Sequence, residues 1–569
     1  MQKLDLKRLL NVLSIVLVVL NAFTIFGGTW SLAVPSGTVF DSIIDILLGA
    51  TIGMNLFFVI VGYLFLDYKK DKQAARINWY LSGYLIGSCF MLLTNFLFTL
   101  VVALSSVRYN IVYGTMLTIA ITLNAITHVF PIFAGIAIYK TTVPSSRALS
   151  PVIDEESWVR KPSFIKVIKC IGIPFIFLVF AMSIYLPMVF FSSGHQVQYW
   201  IAGDLAITMV FFLLPMTLML VRYMPRTKRK QDRALRAIFA IAGFVLAGIN
   251  AIPLVQIQGT VTSIDQQFTV DFGAGWESTI PQNIRTGFRT MPLSLKDMMF
   301  TLPIGETDEL HDIVYTMDKG QSLKFDWYGP KGITSTANSL PVIIAIHGGS
   351  WELYDKGIYN TLPTTLYLAS KGYIVVDIQY GLFDEGDSDP YSLKDMILEI
   401  ANLTTLLESN AGLYHVNMSK VYFMGRSAGA HLSLTAGLGY DNPFFAGNFS
   451  ATMTCRGIIP FYPPTNMSSW YDASDVNFFG VPFSQFHYFN PVDLVSATSP
   501  PVLCFEGLAD RLVSPTQVYM LDDAMAAMNK TCITGLFPNV GHEFDIFYNY
   551  ACNQVCLYYI ERFLAFTSA

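Results

Sequence analysis

Seven long apolar runs fill the first 257 residues, near 9–27, 43–66, 79–104, 111–139, 166–191, 199–221 and 237–257. An α-helix needs about 20 mostly apolar residues to cross a bilayer core, so residues 1–257 are expected to form a multi-pass, all-α transmembrane bundle. Composition agrees: 14% of the 569 residues are charged, against roughly 25% in soluble domains. The first run is longer than the apolar core of a secretory signal and is read as a retained helix.

Basic residues predict the orientation, because cytoplasmic loops carry the Lys and Arg excess. Lys3, Lys7 and Arg8 precede the first run; Lys69, Lys70, Lys72 and Arg76 follow the second; Lys140, Arg147, Arg160, Lys161 and Lys166 follow the fourth. Arg222, Arg226, Lys228, Arg229, Lys230, Arg233 and Arg236 follow the sixth, while the alternate loops hold only Arg108. A cytoplasmic N-terminus and an odd number of spans put the C-terminal domain on the extracellular or lumenal side. The expected partner is the lipid bilayer. Topology accounts for the basic clusters, so no nucleic-acid footprint remains. The glycosylation sequons at Asn402, Asn417, Asn448, Asn466 and Asn529 all fall in the C-terminal part, as the same orientation requires.

Residues 258–307 read as a polar-to-amphipathic connector, rich in large apolar residues (Trp276, Phe288, Met291, Met298, Phe300), and residues 308–569 as alternating strands and helices. Val342–Ile346 and Tyr373–Ile378 are short β-branched runs of the kind buried on both faces of a parallel sheet. Helices are predicted from Asn360 to Leu368 and over 391–409, where Leu393, Met396, Ile397, Ile400, Leu403 and Leu407 keep helical spacing. Asp395, Glu399 and Asn402 are placed on the opposite, solvent face. Alternation of this kind implies a mostly parallel sheet with helices on both faces.

One turn carries reactive chemistry. After a strand at Lys420–Met424 comes Gly425-Arg426-Ser427-Ala428-Gly429, then a helix from Ala428. In a strand–turn–helix setting, G-x-S-x-G presents the serine on a strained backbone that only small neighbours permit. The following helix directs its positive end at negative charge developing there. Upstream, His347-Gly348-Gly349-Ser350-Trp351 directly follows the 342–346 strand.

Together these two motifs resemble the α/β-hydrolase superfamily, and within it the hormone-sensitive-lipase and carboxylesterase branch with its HGG-x-W segment; the resemblance covers roughly 308–569. It implies a Ser427 nucleophile and an oxyanion hole from the N–H groups of Gly348, Gly349 and Ala428. Ser350 stands where a third Gly is frequent, which leaves Gly349 and Ser350 as alternatives for the second donor. His347 is expected to hold the loop, with Trp351, Gly425 and Gly429 as further motif support. The branch's chain order of serine, acid, histidine points to Asp510, in the G-x-x-D-x-x-V turn after a strand at 500–507, and to His542 in Gly541-His542. Glu506, inside the strand, and Asp522, in the next helix, are poorer candidates for the acid.

The implied chemistry is acyl transfer from an ester, with neither metal nor organic cofactor. The aromatic-rich insertion at 441–499 and the connector at 258–307 would form a cap, which favours an apolar or lipid-like ester. Two rivals remain: a silent hydrolase-fold adhesion or binding module, and a serine peptidase of the same fold. With every chemical residue beyond position 340, the stretch 258–569 is expected to work without the bundle. Among Cys455, Cys504, Cys532, Cys552 and Cys556, an oxidising compartment would permit a bridge from Cys532 to Cys552 or Cys556; Cys504 reads as a free core thiol. The oligomeric state is not legible.

Overall fold

The structure, a computed structural model, describes residues 230–568 apart from 301, 336–338 and 359–360. Before them it describes 12–25, 39–65, parts of 76–94, 109–142, parts of 176–188, and 198–223. Among the described residues, two helical stretches are long and apolar enough to cross a membrane, Ile121–Tyr139 and Lys230–Phe272. Shorter apolar helices cover Val12–Ile25, Asp45–Ile60, Leu178–Met188 and Leu205–Val221. Much of the third apolar run, 79–104, lies outside the described residues, as does Asn360.

The C-terminal part is built on one eight-stranded sheet: β1 (Thr307–Asp318), β2 (Gln321–Pro330), β3 (Leu340–Ile346), β4 (Ile374–Ile378), β5 (Val416–Arg426), β6 (Cys455–Phe461), β7 (Val502–Gly507) and β8 (Cys532–Phe537). Their spatial order is β1-β2-β4-β3-β5-β6-β7-β8. The pairs β1/β2 and β2/β4 are antiparallel and all others parallel. Helices α1 (Ile252–Phe272), α2 (Thr361–Ser370), α3 (Leu393–Ser409), α4 (Ala428–Gly439), α5 (Thr516–Ala527) and α6 (Ala551–Thr567) flank the sheet.

The continuous apolar runs of the central strands follow from burial on both faces. In β3, Val342, Ile344 and Ile346 pack with α3, α4 and α5, whereas Ile343 and Ala345 pack with α1, α2 and α6. Because β3 to β8 are parallel, their C-terminal ends share one edge, and the loops leaving that edge carry residues 347–354, 427, 508–513 and 538–550.

Several expectations need correcting. The boundary at 257/258 falls inside α1, which packs on β8: Thr260 Oγ1 donates to the Leu536 carbonyl at 2.6 Å and Gln267 Nε2 to that of Thr534 at 3.0 Å. The connector is no cap. Trp276, Phe288 and Met298 are buried in the sheet face shared with α6, and the Arg289 N–H donates to Glu561 at 2.8 Å. Covered by the sheet on one side and the connector on the other, α6 is buried at nearly every position. Glu399 does not face solvent. It lies one helical turn from Met396 and Leu403, is 1% exposed, and accepts the Gly381 N–H at 2.7 Å; burial pushes its carboxyl up to about 9. Asp395 forms a capping box with Ser392.

No bridge from Cys532 to α6 is available. Cys504 and Cys532 project into the core under α3–α5, Cys552 and Cys556 into the opposite one, and the sheet separates them. All five cysteines between 455 and 556 are buried thiols.

Candidate active site

Small residues at the motif positions are a consequence of crowding. A Cβ on Gly429 would stand 2.2 Å from the Ile346 carbonyl oxygen, and one on Gly425 2.2 Å from that of Gly429. Between them Ser427 adopts φ 51°, ψ −120°. A side-chain-bearing residue pays about 1–3 kcal/mol to sit in such a region, and here the Ser427 N–H is held by the Phe461 carbonyl at 3.0 Å. The turn lifts the hydroxyl off the end of β5 and starts α4 at Ala428.

The three residues from three distant loops meet there. His542 Nε2 lies 3.0 Å from Ser427 Oγ, and His542 Nδ1 lies 2.6 Å from Asp510 Oδ2. Asp510 is fixed in turn, its Oδ1 accepting the N–H groups of Leu512 and Val513 at 2.8 and 2.9 Å. Burial alone would push the His542 imidazole down; the Asp510 carboxylate outweighs it, and the pKa stands above the ordinary histidine value. Glu506 is buried beside Asp510 on β7, so desolvation first and that neighbouring charge second hold its carboxyl well above the usual range. Asp522 sits apart, on α5.

The upstream segment, 347–351, lies beside the serine turn. Gly348 lies against the Ser427 turn, where a Cβ would be 2.9 Å from the Arg426 carbonyl oxygen; Gly349 takes φ +118° and leaves no room for a Cβ beside Leu353. Among the described residues, no acceptor pairs with the N–H of Gly348, Gly349, Ser350 or Ala428. The ring of His347 stacks on Tyr380 with centroids 4.3 Å apart. Its Nδ1–H donates to the Gly348 carbonyl at 2.7 Å, and its own carbonyl accepts from Tyr380 Oη at 2.9 Å. Desolvation pulls its pKa down to about 4, so the ring is neutral. Trp351 Nε1 donates to His431 Nδ1 at 3.3 Å, and the indole meets Phe478 of the 441–499 insertion edge-on at 5.5 Å. That insertion packs partly into the core, Phe479 stacked on Phe486 at 3.6 Å.

Four residues make contacts at the site that the motifs did not indicate. His431 completes the Trp351 anchor, its Nε2–H donating to the Phe489 carbonyl at 2.8 Å. Arg426 pairs with Asp545 at 2.7 Å, and Tyr462 Oη donates to the same carboxylate at 2.8 Å while its ring lies 4.4 Å from that of His542. Position was the available signal: Arg426 precedes the serine, Asp545 follows the histidine by three, and a charge in an otherwise apolar run needs a partner.

A family model described as BD-FAE matches residues 325–525. The chain is 26% identical over 263 residues to the probable carboxylic ester hydrolase LipM of Mycobacterium tuberculosis (41% of this chain, 55% of that one). It is 31% identical over 127 residues to the kynurenine formamidase of Danio rerio (22% and 38%). Matches of this kind span about half the length of the curated relatives or less. Among solved structures, a phosphonate-inhibited esterase B from Lactobacillus rhamnosis aligns with TM-score 0.40 and 20% identity, over 47% of this chain and 88% of that one. The C-terminal part is thus similar in sequence to carboxylic ester hydrolases and related α/β-hydrolase domains.

Proposed function

We propose that this protein is a membrane-anchored serine hydrolase that cleaves carboxylic esters on the extracytoplasmic side. The observation that carries the reading is the relay of 3.0 Å from Ser427 Oγ to His542 Nε2 and 2.6 Å from His542 Nδ1 to Asp510. In the first step His542 takes the hydroxyl proton as Ser427 Oγ attacks the ester carbonyl. The tetrahedral oxyanion is stabilised by the free N–H groups of Gly348, Ala428 and Gly349 or Ser350, each donor worth about 3 kcal/mol. His542 then protonates the leaving alcohol. Water repeats the sequence on the acyl-enzyme and releases the acid. Asp510 holds the tautomer with Nδ1 protonated and stabilises the imidazolium.

The charge asymmetry of the loops supports the orientation, and the sequons fit it: Asn402, Asn448 and Asn529 are exposed, Asn417 and Asn466 half-buried. The test is labelling of the full chain with a fluorophosphonate probe, which Ser427→Ala should abolish, followed by a p-nitrophenyl ester series of increasing chain length. A folded protein that resists the probe is a binding module instead; cleavage of peptides in preference to esters is the peptidase outcome.

A further inference from the structure

The helices that lead out of the apolar bundle reach the sheet at its catalytic edge. The helix Lys230–Asn250 is followed after one residue by α1. Counting the about 20 residues of a span from Arg236, the end of the basic loop, brings the chain to Gln256. There the Gln256 side chain accepts a hydrogen bond from Asn539 Nδ2, three residues before His542. From that point α1 runs away from the bundle along β8, meeting Leu536 at Thr260 and Thr534 at Gln267. It therefore passes the C-terminal end of β8 first.

Two other helices arrive at the same edge. Gly203, near the start of Gln198–Tyr223, packs so tightly on the His542 loop that a Cβ would lie 2.4 Å from Val540 Cγ1 and 2.5 Å from the Asn539 carbonyl oxygen. Two residues on, Leu205 packs against Phe547 and Tyr550. Asp45, near the start of Val39–Phe65, accepts the Lys296 N–H at 2.6 Å, and the neighbouring Met298 carbonyl accepts from Asn549 at 3.0 Å. In every case the contacting end is the one far from the basic loops. The loops at this edge also expose large apolar side chains that a purely aqueous mouth would not need: Leu353 and Tyr354 after β3, Trp470 and Phe483 after β6, Leu508 and Leu512 after β7.

We propose that the catalytic edge faces the outer surface of the bilayer and that Ser427 takes its ester from the membrane. The substrate class is an amphiphile whose chain lies in the outer leaflet and whose ester sits at headgroup level, the height at which Gln256 leaves the span. This rests on reading the bundle as membrane-spanning and Ser427 as the nucleophile. The exposed apolar rim would sit at the headgroup–acyl boundary, where removing its apolar area from water is favourable.

The full chain, reconstituted in phosphatidylcholine vesicles, is offered a 4-methylumbelliferyl long-chain ester in its own bilayer or only in separate protein-free vesicles. Hydrolysis at least ten-fold faster in the shared bilayer is expected; equal rates, with Ser427 labelled by fluorophosphonate, overturn the proposal. Absence of labelling instead overturns the underlying hydrolase reading. A second measurement is independent of turnover. Bimane on Leu512→Cys should be quenched by brominated lipid, while bimane on Met528→Cys, at the opposite edge before β8, should not. Equal or reversed quenching overturns the proposed orientation.

Discussion

The guanidinium of Arg426 and the carboxylate of Asp545 lie 2.7 Å apart in the core, tying the residue before Ser427 to the loop that carries His542. Arg426 also stacks over Phe461 at 4.6 Å, and Tyr462 shares Asp545. The serine turn and the histidine loop are thus held together by a buried charge pair.

Breaking that pair leaves an uncompensated buried charge, which costs on the order of 3–5 kcal/mol. Asp545→Asn should lower the melting temperature of the detergent-solubilised protein and slow fluorophosphonate labelling. Tyr462→Phe removes one hydrogen bond and should cost only about 1 kcal/mol. Equal stability of Asp545→Asn and wild type would show that the pair contributes nothing.

In the proposed mechanism hydrolysis requires neutral His542; burial pulls its folded pKa down, but Asp510 outweighs burial and raises it above 6.5. Rates should therefore fall as pH drops through a value above 6.5. In Asp510→Asn the attraction is gone and burial remains, so the acid limb should shift below 6.5 while kcat drops by roughly 10⁴. A kcat/KM profile across pH 5–9 reads both changes; an unmoved limb would mean that another group sets it.

Glu399 titrates near 9 in the folded protein against an ordinary 4.5, because burial disfavours its charged form. Below pH 4.5 both states hold the proton. Between 4.5 and about 9 the unfolded chain releases it and the folded one retains it, so stability declines as pH rises, by at most about 1.4 kcal/mol per unit. Glu399→Gln removes that dependence, and denaturant midpoints of variant and wild type should diverge from pH 5 to 8 in the variant's favour.

Gly429→Ala should destroy labelling by displacing the turn from the Ile346 and His347 carbonyls it touches. Gly357→Ala, with open space around it though at φ +72°, should cost only about 1–2 kcal/mol of strain and keep the site active. Loss of labelling in both would point to general misfolding.

A fragment beginning at 258 should be poorly folded. It removes the first turn of α1, including buried Ile257 and the Gln256 partner of Asn539. Near-normal ester hydrolysis by that secreted fragment would restore the self-sufficiency expected from the sequence.

Local sequence settled what local physics controls. Small residues flanking Ser427, the run His347–Trp351, and Gly541 before His542 each mark a turn whose backbone tolerates little else, so the residues that meet at the candidate site could be picked out before any fold was known. Apolar runs gave the central strands because burial on both faces leaves no polar alternation. Periodicity could not tell on which side of the sheet Cys532 and Cys552 would lie, that Glu399 would be buried, or that residues 258–307 would cover α6 rather than the site. Those outcomes depend on which element packs over which face. Only the tertiary structure brought Gln256 and Gly203 against the His542 loop, because the contact joins segments more than 280 residues apart in the chain, beyond the reach of any local pattern.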